Sequence, residues 1–244
     1  KKYPECDLAC ANAVEDLIKT ATSGHPGAFI AETIQGNAGC VVPPKGYFKR
    51  LKEILKEYNT LLIIDEVQTG FARSGKMFAI ENYDVVPDIM CMAKALGNGA
   101  PISAFIAPAR IADTYTRPGA STLGGNPVSS VAGKAVLDYI EEHNLAQNAY
   151  ERGNELRAGL LELQKKRPVI GDVRGLGLMD GAEFIHADGS PAPEILDDCL
   201  ETLKDRGFII GKNGAYRNVM AFQPPLIITK DNVNDVLNAL DLVL

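Results

Sequence analysis

The stretch from Thr60 to Gly75 reads TLLIIDEVQTGFARSG, with four aliphatic residues, Leu61 to Ile64, running straight into two acids, Asp65 and Glu66. A continuous apolar run of this length, closed by polar and glycine-containing sequence, reads as a strand buried on both faces of a sheet. In open α/β sheets, ligands gather beyond the carboxyl ends of the strands. An acid at that point either caps the next turn or faces something positively charged.

The flanking sequence keeps an α/β rhythm. Upstream, DLACANAVEDLIKTA (Asp7 to Ala21) has the pattern of an amphipathic helix, and GAFIAE (Gly27 to Glu32) that of a short buried strand, again ending in an acid. KGYFKRLKEILKEYN places Phe48, Leu51, Ile54, Leu55 and Tyr58 on one helical face. Downstream, DIMCM and PISAFIA are two further short apolar runs. Strand, helix, strand in this order predicts a mostly parallel sheet covered on both sides.

After GGNPVSSVAGKAVLDYIEEHN the texture changes. Asn126 can cap a helix whose first position is Pro127. LAQNAYERGNELRAGLLELQKK predicts a second amphipathic helix. GDVRGLGLMDGAEFI, GFIIG and NVMAFQPPL read as strands, with a helix from about Ile195 to Arg206 and a closing helix from Asp231 to Leu244. The expected organisation is a sheet domain over residues 1–133 and a smaller α+β domain over 134–244.

Composition narrows the function classes. The net charge of −6 is carried by interspersed acids and bases, with no basic run suited to nucleic acid or an anionic membrane. Five scattered cysteines lack metal-ligand spacing, and free thiols in a reducing, cytoplasmic setting are the expected reading. No apolar run is long enough to span a bilayer. His25, His143 and His186 are isolated, and Arg73 reads as a loop anchor.

Asp65 has a candidate partner in Lys94, which follows the apolar run IMCMA and precedes glycine-rich sequence. A lysine in such an uncharged, poorly solvated setting is suited to act as a nucleophilic amine, and an amine meeting a carbonyl gives a Schiff base. The same two residues could instead form a structural ion pair or a cap. LGNGAP lacks a strand–turn–helix phosphate signature and indicates no nucleotide site.

Six segments in order, AETIQGNAG, LLIIDEVQTGFARSGKMFAIE, DIMCMAKALGNGAPISAFIA, STLGGNPVSSVAG, VRGLGLMDGAEF and FQPPLIIT, closely resemble the class III aminotransferases, including the alanine–glyoxylate and ω-amino-acid enzymes. The resemblance implies fold type I and pyridoxal 5'-phosphate as cofactor. It implies that Lys94 carries the cofactor as a Schiff base and that Asp65 faces the pyridine nitrogen. Val67 is implied against the cofactor ring and Gln68 near its 3′-oxygen. Glu32 and Gln35 are implied near the substrate, and Thr122 at the cofactor phosphate of the other subunit of a homodimer. The implied reaction moves an amino group between an amino acid or ω-amine and a 2-oxo acid. Racemisation, epimerisation or elimination on the same scaffold, and a non-catalytic fragment, are the alternatives.

Two departures from the family pattern stand out. Relatives carry a glycine-rich phosphate-cradling turn and a ring-stacking aromatic residue ahead of the point matching Lys1, so the chain reads as a C-terminal portion that by itself should hold the cofactor poorly. Many relatives also place a carboxylate-gripping arginine where Ala221 stands, with Arg217 nearby. Weak discrimination for α-carboxylates is the expected consequence.

Overall fold

In the computed structural model, which describes residues 3–244, β2 (Leu61–Asp65) runs parallel to both of its neighbours, β1 (Ala28–Glu32) and β3 (Ile89–Met92). Strand β4 (Ala104–Ile106) completes the order β1-β2-β3-β4 in antiparallel orientation. Side chains alternate along β2, so that Leu62 and Ile64 are buried while Leu61, Ile63 and Asp65 are partly exposed. Helices α1 (Ala9–Ala21) and α2 (Tyr47–Glu57) bring Val14, Ile18, Phe48, Leu51 and Ile54 into one core with Leu62 and Ile64.

The other face of the sheet is different. Ile30 is 63% exposed and Phe105 73% exposed. Within this chain β1 is therefore an edge strand with one face uncovered, where a buried strand was expected. The expectation of a central run buried on both faces is corrected too. In an unbroken aliphatic run the two sets of alternate side chains are chemically alike, so the sequence does not reveal that only one set is fully covered.

The register sets the site. Glu32 is paired with Asp65, and Asp65 with Cys91, so three side chains stand abreast at the carboxyl ends of β1, β2 and β3. The chain divides into two compact units, and this sheet lies in the first, built from residues 3–33, 43–71 and 78–142. The same unit holds α3 (Ala109–Ala112) and α4 (Pro127–Glu142). Helix α4 starts as its sequence predicts: Pro127 is the first helical residue, and Asn126 Oδ1 accepts from the Ser129 N–H at 3.0 Å.

The second unit comprises residues 34–42, 72–77 and 143–244. Its sheet is antiparallel, ordered β5 (Ile170–Gly175), β6 (Asp180–Phe184), β8 (Val219–Phe222) and β7 (Gly211–Asn213). Helices α5 (Leu145–Lys166), α6 (Pro193–Asp205) and α7 (Lys230–Val243) build its core through Leu156, Leu160, Leu196, Leu203 and Val233, packed with Phe184.

GFIIG is not the strand its composition predicts. Gly207 takes φ 91°, its N–H donates to the Lys204 carbonyl, and the Phe208 N–H donates to the Leu203 carbonyl at 2.9 Å. This closes α6 with a left-handed glycine, and pairing begins only at Gly211. Arg73 is the loop anchor expected: its guanidinium donates to the carbonyls of Leu178 and Pro224, and burial pulls its pKa down to about 10.

Candidate active site

At the exit of β2 the two acids have different partners. Asp65 is partly exposed, and its Oδ1 accepts from the Val67 N–H at 2.9 Å, a local turn that sends the chain away from the strand. Glu66 is fully buried. Its Oε1 accepts from Thr33 Oγ1 at 3.0 Å and the Ile80 N–H at 2.8 Å, and its Oε2 from Thr69 Oγ1 and the Ala79 N–H.

At the exit of β3, Cys91 lies beside Asp65. Burial first, and the charge of Asp65 second, push its thiol pKa above the ordinary range. Three residues on, Lys94 has φ 43° and opens a single turn of 3-10 helix, Lys94–Leu96. A left-handed backbone at a long-chain residue is uncommon and concentrates at functional sites. The turn that follows needs Gly97, where a Cβ would lie 2.1 Å from the Ala100 carbonyl oxygen.

Lys94 is exposed, so the poorly solvated setting its sequence neighbours suggest is absent from this chain. The turn itself is covered, with Leu96 and Gly97 buried, and it is the Lys94 side chain that is left open to solvent. Among the described residues, Lys94 and Asp65 make no ion pair within 4.0 Å, so the structural ion-pair reading of these two residues is set aside.

The other predicted residues fall in three places. Glu32, Val67 and Gln68 belong with Asp65 and Lys94 to the first unit, with Glu32 in register with Asp65. Thr122 is exposed in the turn before α4, beside a pocket of about 380 Å³ lined by Ser121, Gly124, Gly125, Asn126 and Ser129. Gln35 lies in the second unit, where its backbone bridges to Val41, and its side chain is exposed.

Ala221 lies on β8 and is 5% exposed, packed with Ile34, Cys40 and Met179. Arg217 is exposed at a left-handed turn. Glu66 carries no assignment from the sequence. Its signal was the second acid of the pair, an ionisable side chain set directly after a buried run, with Thr33 just past β1 and Thr69 three residues on in the loop that leaves β2.

The class-III aminotransferase family model matches residues 2–244. The chain belongs to the class-III aminotransferase family. It is 41% identical over 234 residues to the mitochondrial alanine–glyoxylate aminotransferase 2 homolog 2 of Arabidopsis thaliana, covering 95% of this chain and 49% of that protein. It is 43% identical to a leucine/methionine racemase of Thermococcus litoralis, covering 99% of this chain and 55% of the relative. A Bacillus anthracis aminotransferase crystal structure superposes with a TM-score of 0.91 at 31% identity, covering 97% of this chain and 56% of that one. This class-III aminotransferase chain thus spans about half the length of the curated relatives it matches. Fold type I, inferred from the motifs, agrees with the parallel sheet and the separate antiparallel one.

Proposed function

We propose that the protein to which this chain belongs is a pyridoxal-phosphate enzyme that moves an amino group between an amino acid or ω-amine donor and a 2-oxo acid. The observation that carries the reading is the placement of Asp65 and Lys94 at the carboxyl ends of adjacent parallel strands, with no ion pair between them among the described residues. A carboxylate and an amine kept apart at neighbouring strand ends suit the two groups that pyridoxal phosphate needs. When bound, that cofactor supplies an aldehyde that condenses with amines and a ring that accepts an electron pair.

In this reading Lys94 holds the cofactor through its amine and, once released, carries the proton between the substrate carbon bearing nitrogen and the cofactor C4′. Asp65 keeps the pyridine nitrogen protonated. Val67 lies against the ring, and Gln68 serves the 3′-oxygen. Glu32 and Gln35 face the substrate, and Thr122 serves the phosphate of a second subunit in a homodimer. The first unit is the cofactor-binding part and the second the small domain, with the boundary expected at 133/134 falling inside α4. All five cysteines are free, which supports a reducing, cytoplasmic location.

Borohydride reduction of the cofactor-loaded, full-length protein followed by peptide mapping tests the reading. A pyridoxyl label on Lys94 is expected, and a label on Lys76 or Lys134 instead defeats it. A second reading, racemisation on the same scaffold, is favoured by the 43% and 41% identity to proteins described as racemases. Incubation with one enantiomer of an amino acid separates the two. Amino transfer requires a 2-oxo acid acceptor for turnover, whereas racemisation yields the other enantiomer without one.

A further inference from the structure

Glu66 is a buried ionisable group that the proposed chemistry leaves unused. Its surroundings are all donors: two hydroxyls, from Thr33 and Thr69, and two backbone N–H groups, from Ala79 and Ile80. Each carboxylate oxygen takes one hydroxyl and one N–H. Thr33 and Thr69 are themselves fully buried, so no water competes for these bonds.

The geometry makes Glu66 a staple. Its backbone N–H donates to the Cys91 carbonyl of β3 at 2.9 Å, and its own carbonyl accepts from the Gly70 N–H at 2.9 Å. Its side chain then reaches Thr33, just beyond β1, and Ala79 and Ile80, 13 and 14 residues further along the chain. One residue thereby ties the ends of three strands to the far end of the loop that leaves β2. Asp65 precedes it and Val67 and Gln68 follow it. A shift of the Glu66 side chain would displace all three.

We propose that Glu66 is the positioning residue of this site, fixing where Asp65, Val67 and Gln68 stand toward the cofactor; the proposal rests on the function proposed above. The chemistry of the partners makes the test sharp. Because each oxygen accepts one backbone N–H, a glutamine at this position sets its NH2 group against an N–H whichever way the amide is turned. The threonine hydroxyls can rotate to adapt, but the backbone cannot.

The test compares wild type, Glu66→Gln and Thr33→Val in the full-length, cofactor-loaded protein. Three quantities are measured: hydrogen exchange at the Ala79 and Ile80 amides, the dissociation constant for pyridoxal phosphate, and the absorption maximum of the bound cofactor. For Glu66→Gln, faster exchange, about tenfold or more weaker cofactor binding and a shifted maximum are expected, as for one buried donor left unpaired. If that variant fails to fold, Thr33→Val decides, since it removes one hydroxyl and leaves both N–H bonds. A rise of about threefold in the dissociation constant is expected for it. A folded variant with accelerated exchange but wild-type affinity and spectrum would reduce Glu66 to a structural staple and overturn the proposal. A wild type that takes no borohydride label on Lys94 sinks the function and this proposal together, whereas a labelled wild type with unaltered variants sinks this proposal alone.

Discussion

Arg157 Nη1 lies 2.5 Å from Asp180 Oδ1, while Asp180 Oδ2 is buried with no hydrogen-bond partner among the described residues. Asp180 opens β6 and is fully buried. Loss of solvent raises its pKa to about 7, with Arg157 opposing the shift only in part. Only half of the carboxylate is matched. The cost of ionising it falls on the stability of the second unit.

The sign of the pH dependence follows. A carboxyl group whose folded pKa lies above its unfolded value binds more protons when folded, so its contribution is fully present below the unfolded pKa and is lost as pH rises through about 7. Thermal stability is therefore expected to fall between about pH 4 and pH 7 from this group, by a few kcal/mol at most. Asp180→Asn should flatten that slope, with Arg157 still held by Asn154. Melting temperatures of both proteins across this range are the measurement. Parallel slopes would show that Asp180 does not titrate there.

Asp65→Asn keeps the shape of the side chain and removes its charge. If Asp65 holds the proton on the pyridine nitrogen, turnover should drop by two to three orders of magnitude, about 2.7–4 kcal/mol, the scale of one preorganised electrostatic contact. The turn bond to the Val67 N–H needs only an oxygen acceptor, which asparagine retains, so folding should be unaffected. Single-turnover rates with wild-type and variant enzyme measure the effect, and near-normal turnover would make Asp65 a turn residue alone.

Thr122 is expected to act across a subunit boundary. Mixing Lys94→Ala subunits with Thr122→Ala subunits, each inactive alone, should restore one intact site per mixed dimer. Activity that stays at background, with mixed dimers confirmed by native mass spectrometry, would place both residues in one subunit's site.

Ala221 carries the prediction on substrate choice, and the fold changes how to test it. Its side chain packs with Ile34, Cys40 and Met179, so Ala221→Arg should not add a carboxylate grip. Overpacking and a buried charge should instead destabilise the protein by roughly 1–3 kcal/mol or more. Wild-type specificity constants for L-alanine and a simple ω-amine provide the direct comparison. Weak discrimination is expected, and a preference for L-alanine by orders of magnitude would mean that another cation holds the carboxylate.

Much of this was legible in the residues. LLIID followed by an acid placed Asp65 at a strand end, because an aliphatic run that gives way to two successive acids has reached the end of its strand. DIMCM placed Lys94 just past the neighbouring strand for the same reason, and Asn126–Pro127 marked the start of α4 because capping is a local matter of hydrogen bonds and φ. What only the tertiary structure decided was what each element faces. The sequence pattern of β1 and β2 does not say that one face of their sheet is open, since burial depends on which helices arrive and from which side. It does not say that Lys94 is exposed or that Ala221 sits among Ile34, Cys40 and Met179. Nor does it separate Asp65 from Glu66. They are adjacent acids of nearly equal chemistry, and only the pleat of the strand, which turns successive side chains to opposite faces, sends one to the candidate site and the other into a closed shell of four donors.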